Sequence, residues 1–60
     1  MLPVPVEEAM IGDYSEVYGH ISGVIYEDND KIKLLFRNGT EVRLPKDELI
    51  ELDQGGRFNH

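Results

Sequence analysis

The 60-residue chain has no cysteine, no tryptophan, and no lysine or arginine before Lys31. Without cysteine there is no disulfide framework, no thiolate nucleophile and no thiolate metal ligand. A structural zinc would have to be assembled from two histidines and carboxylates, so neither a metal nor any other cofactor is expected. No stretch approaches the ~20 apolar residues of a membrane span. The first residues also lack the basic and then apolar regions of a secretory signal, so the expectation is a cytoplasmic protein with no membrane partner.

The lack of early cations makes the charge lopsided. Glu7, Glu8, Asp13, Glu16, Glu27, Asp28 and Asp30 precede the first basic residue, and the whole chain carries a net charge of −6. Such a surface keeps a small domain soluble and repels phosphate backbones at long range. Length sets a second limit. A domain of this size buries only about 60% of the surface its unfolded chain exposes. It therefore needs an economical core, a partner, or self-association as a homodimer.

What the chain does have is alternation. Ile32, Leu34 and Phe36 alternate with Lys33 and Leu35, and Thr40, Val42 and Leu44 alternate with Glu41 and Arg43. Each run has one apolar face that must be buried. Asn38-Gly39 stands between them, and a two-residue turn would be the simplest hairpin connection. That turn would pair Phe36 with Glu41 and mix apolar with charged residues on one face. A three-residue loop, Arg37-Asn38-Gly39, pairs Phe36 with Thr40, Leu34 with Val42 and Ile32 with Leu44. The predicted connection is thus a type I turn with a G1 bulge, Gly39 adopting the left-handed conformation. A one-residue slip would turn the whole apolar set to water.

Upstream, Glu16 or Val17 to Tyr26 reads as a long strand punctuated by Gly19 and Gly23, joined to the next by the acidic turn Glu27-Asp28-Asn29-Asp30. Simple alternation turns Val17, Ile21 and Ile25 inward and Tyr18, His20, Val24 and Tyr26 outward. A bulge at Gly23 would instead bring Val24 and Tyr26 to the core, and alternation alone does not choose between them. Leu2-Pro3-Val4-Pro5-Val6 is an edge strand or an extended arm able to add to a neighbour's sheet. Residues 5–11 carry the signals of one short helical turn, and Gly12-Asp13-Tyr14-Ser15 those of a turn. Pro45 to Leu49 suits a single 3-10 turn before a last short strand, Ile50-Glu51-Leu52. Residues 1–53 are expected to form one domain with an N-terminal arm, and 54–60 a flexible tail.

This order resembles the SH3-like small barrels, the group that includes KOW and Tudor-like domains. Gly19-His20-Ile21-Ser22-Gly23-Val24 looks like the core of a KOW motif, and Leu34-Leu35-Phe36-Arg37-Asn38-Gly39 like the strand ending in Asp/Asn-Gly. Lys46-Asp47-Glu48-Leu49 stands where such barrels place their connecting 3-10 turn. The resemblance covers roughly Gly12 to Leu52 and implies an all-β, SH3-like small barrel of about five strands. The chain departs from it twice: the basic residues that accompany nucleic-acid binding are missing before Lys31, and there is no tryptophan for a peptide groove.

No catalytic residue is expected. His20 and Ser22 lie two apart on one strand, but nothing marks a third orienting group or an oxyanion site. The Glu27–Asp30 run lacks the glycine and distant glutamate of a calcium loop. For partners, alternation places Leu35 on the outer face between Lys33 and Arg37, with Tyr18, His20, Tyr26 and Arg43 as candidate neighbours. Tyrosine and arginine around an exposed leucine is interface composition. The expected role is a non-catalytic protein-interaction module or small accessory subunit of a larger complex. The alternatives are a KOW- or Tudor-like nucleic-acid binder, using Lys33 and Arg43 with Lys31 and Arg37 on the same side and Tyr18 or Tyr26 stacked on bases, and an acidic mimic of nucleic acid that occupies a basic partner.

Overall fold

The computed structural model describes residues 2–55. Six strands follow in chain order: β1 Leu2–Pro5, β2 Tyr14–Ser15, β3 Gly19–Tyr26, β4 Lys31–Phe36, β5 Glu41–Pro45 and β6 Leu49–Leu52. A 3-10 helix, Val6–Glu8, follows β1. The fold is all-β. One sheet has the order β2-β3-β4-β5 and curls into a half-barrel; the other pairs β1 with β6. They join through Tyr14 and Asp53, which exchange both backbone hydrogen bonds at 3.0 and 2.8 Å.

The β4–β5 hairpin has the register that its alternation predicts. Leu34 lies opposite Val42 and Ile32 opposite Leu44. Phe36 N–H donates to the Thr40 carbonyl, and Gly39 N–H to the Phe36 carbonyl, both at 2.9 Å. Gly39 sits at φ 93°, where a residue with a Cβ would be strained. Asn38 finishes the loop, its Oδ1 accepting from Thr40 N–H at 2.9 Å.

The β3–β4 register resolves the choice that alternation leaves open. Ile21 pairs with Phe36 but Gly23 with Leu35, so β3 carries one extra residue there. This bulge turns Val24 inward, opposite Leu34, and leaves Ile25 outward and 42% exposed. Gly23 suits that point: a Cβ there would stand 3.1 Å from Leu35 Cδ1, closer than ordinary contact. Tyr26 follows Val24 to the inner side but stays 63% exposed at the strand's end. Its hydroxyl donates to the Glu7 carbonyl at 3.2 Å, so it spans the 3-10 helix rather than entering the core.

Val6, Ala9, Ile21, Ile32, Leu34, Phe36 and Leu52 form the buried core, with Val4, Tyr18, Val24, Val42, Leu44 and Ile50 packed around it. Two expectations change. Val17 is 80% exposed instead of inward, and Tyr18 packs on the core instead of facing out. The cause is that Glu16–Tyr18 is a turn, with β3 starting only at Gly19. Tyr14–Ser15 is a short strand, the turn falling at Ile11-Gly12. Of the two readings of Leu2–Val6, the edge strand is the one found: β1 pairs with β6, placing Pro3 and Pro5 on an edge strand where their missing N–H groups cost least. After Pro45 the chain reverses through one hydrogen bond of 3-10 spacing, Glu48 N–H to the Pro45 carbonyl at 3.1 Å. The tail expected over 54–60 lies, from residue 56 onward, outside the described residues.

Candidate functional site

Two short local structures leave one flank of the core uncovered. On the first, Ser15 is buried at the end of β2 and its Oγ accepts the N–H groups of Val17 and Tyr18 at 3.2 and 3.1 Å. That side-chain cap bends the chain at once, as serine does in tight turns. Val17 is thrown to the tip. Tyr18 turns back and stacks on Phe36, with ring centroids 5.2 Å apart. Its carbonyl is held by Asn38 Nδ2 at 3.0 Å.

On the second, β6 pairs with β1 along its length, but its other side meets β2 only through the Tyr14–Asp53 bridge. Beside Leu49–Glu51 no strand is paired on that side among the described residues. The result is a cleft of about 290 Å³ whose walls are Val17 and Tyr18, Leu44 of β5, and Glu48 to Glu51. Leu44, Tyr18 and Ile50 are only half-buried because the cleft opens onto them. Val17 and Leu49, 80% and 63% exposed, form its apolar lips. Both charged residues in its walls, Glu48 and Glu51, are acidic.

The outer face of the half-barrel is a different surface. Of the six residues proposed as partner-binding from sequence, alternation puts His20, Leu35, Arg37 and Arg43 there, whereas Tyr18 lies in the cleft and Tyr26 at the 3-10 helix. The predicted single patch is therefore divided among three places. Leu35 is half-buried, lying over the Gly23 bulge. His20 pairs with Tyr14, their rings 4.8 Å apart, and its carbonyl accepts the Arg37 N–H at 2.9 Å.

Two of the outer cations, Lys33 and Arg43, are engaged. Lys33 and Arg43 face each other across the hairpin, and Glu27 stands between them. Arg43 Nε donates to Glu27 Oε1 at 2.6 Å, and Lys33 Nζ lies 3.8 Å from Glu27 and 3.7 Å from Glu41. The hydrogen bond from Arg43 holds the Glu27 carboxyl below its ordinary range, and Glu27 in turn raises Arg43. A depressed carboxyl contributes stability that is fully present above its unfolded value and lost as pH falls through the folded one. Arg43→Ala is thus expected to flatten the stability profile in and just below the ordinary glutamate range, with its loss of stability largest at pH 7 and vanishing at lower pH. Urea melts across that window check it; unchanged curvature would show that the pair is not linked to folding.

Val17, Leu49, Glu48 and Glu51 escaped the reading from sequence. One signal was present: Leu49 and Ile50 are adjacent aliphatics in a strand, and only one of two adjacent residues can face the core. Among the described residues no group of three or more His, Cys, Asp or Glu side chains is placed to hold a metal ion, and no helix is long and apolar enough to cross a membrane. No protein-family model matches the chain, and no curated protein or solved structure matches it.

Proposed function

We propose that this chain is a non-catalytic protein-interaction module, an SH3-like small barrel that docks on a larger protein complex. The observation that carries the proposal is the cleft. A 60-residue chain whose core has one flank open, walled by Leu44, Tyr18, Ile50, Val17 and Leu49, has apolar surface that a partner can bury. Support for the barrel comes from the strand sequence: β6 lies between β1 and the β2–β3 arm, two hairpins follow, and a 3-10-type reversal leads from β5 into β6.

The nucleic-acid alternative has less behind it. Of the four cations it would use, Lys33 and Arg43 are paired with glutamates, and the net charge is −6. Titration with single- and double-stranded nucleic acid is expected to show no binding that weakens with salt.

Val17→Asp tests the proposal. Val17 is exposed, so the variant should fold with an unchanged far-UV spectrum. It should bind a partner captured from the native host at least about tenfold more weakly, the loss expected of a buried anchor. Leu35→Asp, on the outer face, serves as the comparison. Loss with Leu35→Asp alone moves the docking surface to the outer face; capture of no protein, or equal affinity of all three, removes the proposal.

A further inference from the structure

We infer that the cleft takes an extended segment of a partner protein, added antiparallel beside β6, with an apolar side chain opposite Ile50 and a lysine or arginine opposite Glu51. The inference rests on the docking role proposed above and specifies what the partner presents.

The first ground is the hydrogen-bonding phase of β6. Val6 N–H donates to the Glu48 carbonyl at 2.9 Å, and the register continues through Val4 opposite Ile50 and Leu2 opposite Leu52. Pairs in an antiparallel ladder alternate between bonded and non-bonded, so Glu48, Ile50 and Leu52 direct their backbone groups to β1. The residues between them direct theirs the other way. Asp53 does so, exchanging both its hydrogen bonds with Tyr14 on the side away from β1. Leu49 and Glu51 are in phase with Asp53, and no strand is paired beside them there among the described residues. Opposite them on β1 stand Pro5 and Pro3, so the outward positions of that other edge have no N–H to offer. Leu49 and Glu51 keep both N–H and C=O, and such an unpaired row is a template for strand addition.

The second ground is that this edge and the cleft are one place. All of Glu48 to Glu51 line the cleft, together with Ser15, Val17 and Tyr18. Had β2 continued in register from Tyr14, it would have run on beside Glu51 and Leu49. Instead the Ser15 Oγ takes the Val17 and Tyr18 N–H groups, and the chain turns away. The lane that β2 leaves beside β6 is the cleft.

The third ground is alternation, which assigns the side chains of the added segment. Ile50 packs against the core, so a residue opposite it points inward as well, into the space that Tyr18 and Leu44 border. An apolar side chain there covers the open flank. Leu49 and Glu51 lie on the other face and are exposed. The residue opposite Glu51 is its cross-strand neighbour on that face, and no lysine or arginine pairs with Glu51 among the described residues. Opposite charges at that spacing attract, whereas an acidic residue would be repelled. A second copy of this chain is a poorer occupant, because it brings another net charge of −6 to the same carboxylate.

Panning a random octapeptide display library on the full-length protein, and in parallel on Glu51→Lys, tests the inference. The unaltered protein should enrich peptides in which lysine or arginine precedes an aliphatic or aromatic residue; Glu51→Lys should no longer select the basic residue. The leading peptide, synthesised and titrated, should bind Glu51→Lys about tenfold more weakly. At saturation it should slow hydrogen exchange at the Leu49 and Glu51 amides at least about tenfold, with Ile50, already turned to β1, little changed. Peptides that need Val17 but leave those two amides exchanging as before, or that carry no basic residue, would overturn the inference and leave the docking role intact. No enrichment would overturn the inference alone, the docking role then standing or falling on the capture with Val17→Asp. Peptides that bind Val17→Asp equally well and leave both amides unchanged would overturn both. Self-association abolished by Val17→Asp would overturn the inference by making a second copy the occupant.

Discussion

Leu34→Ala is expected to remove about 2–5 kcal/mol of folding free energy, the range for deleting a fully buried leucine. Leu34 is 0% exposed and lies at the middle of β4, a strand with neighbours on both sides. Val24 stands opposite it on β3 and Val42 on β5, so the substitution leaves a void enclosed by the sheet itself. Backbone hydrogen bonding holds all three strands in place, and the void can collapse only in part. Globular proteins have roughly 0.05–0.15 kcal/mol of stability per residue, so a domain of this length has about 3–9 kcal/mol in all. The variant should therefore lose a large share of its stability at 25 °C. Urea denaturation reads the effect as a fall in midpoint at constant slope. Leu44→Ala is the comparison. Leu44 is half-buried at the cleft, already meets solvent, and should cost about half as much or less. Equal losses at both positions would mean that the core is not centred where the burial places it.

The same leucine marks how far alternation carries. Leu34 was legible because Ile32, Leu34 and Phe36 repeat with period two opposite Val42 and Leu44, and because Gly39 can take the left-handed φ that the three-residue loop needs. Both signals are local, lying within fourteen residues of one another. The β3 register was not legible, because a glycine marks a bulge without saying which side of it the next residue takes. Leu35 lies across Gly23, so that a Cβ there would stand 3.1 Å from Leu35 Cδ1 and press on it. The turn at Glu16–Tyr18 escaped for a related reason. A serine capping two backbone N–H groups looks, in sequence, like any serine beside a strand. That one turn moved Val17 out and Tyr18 in, and so redrew the candidate site. The β1–β6 pairing joins residues nearly fifty apart, and no local pattern in the chain encodes it.

Asp13→Ala should be the most damaging change to a polar side chain, lowering stability by about 2–3 kcal/mol. Asp13 is 0% exposed, an unusual position for a carboxylate, and its Oδ2 accepts the Met10 N–H at 3.0 Å. Its backbone is equally committed. The Asp13 N–H donates to the Met10 carbonyl at 3.1 Å, and its carbonyl accepts the Ile21 N–H at 2.9 Å. Gly12 N–H adds a bond to the Ile21 carbonyl at 3.0 Å. The side chain thus shapes the loop that lays residues 10–13 against β3, and through it fixes the approach to β2. Alanine cannot accept the Met10 hydrogen bond, and the buried space of the carboxylate is left unfilled. Asn keeps an acceptor oxygen of the same length, so Asp13→Asn should lose less than half as much. Urea melts of the two variants measure this, and hydrogen exchange at the Gly12 and Ile21 amides locates it. The overall charge acts the other way: removing one negative charge from a chain at −6 relieves repulsion and should stabilise slightly. A net gain in Asp13→Ala would therefore mean that repulsion outweighs the loop's hydrogen bonds. Equal losses for Ala and Asn would assign the effect to the charge and not to the acceptor geometry.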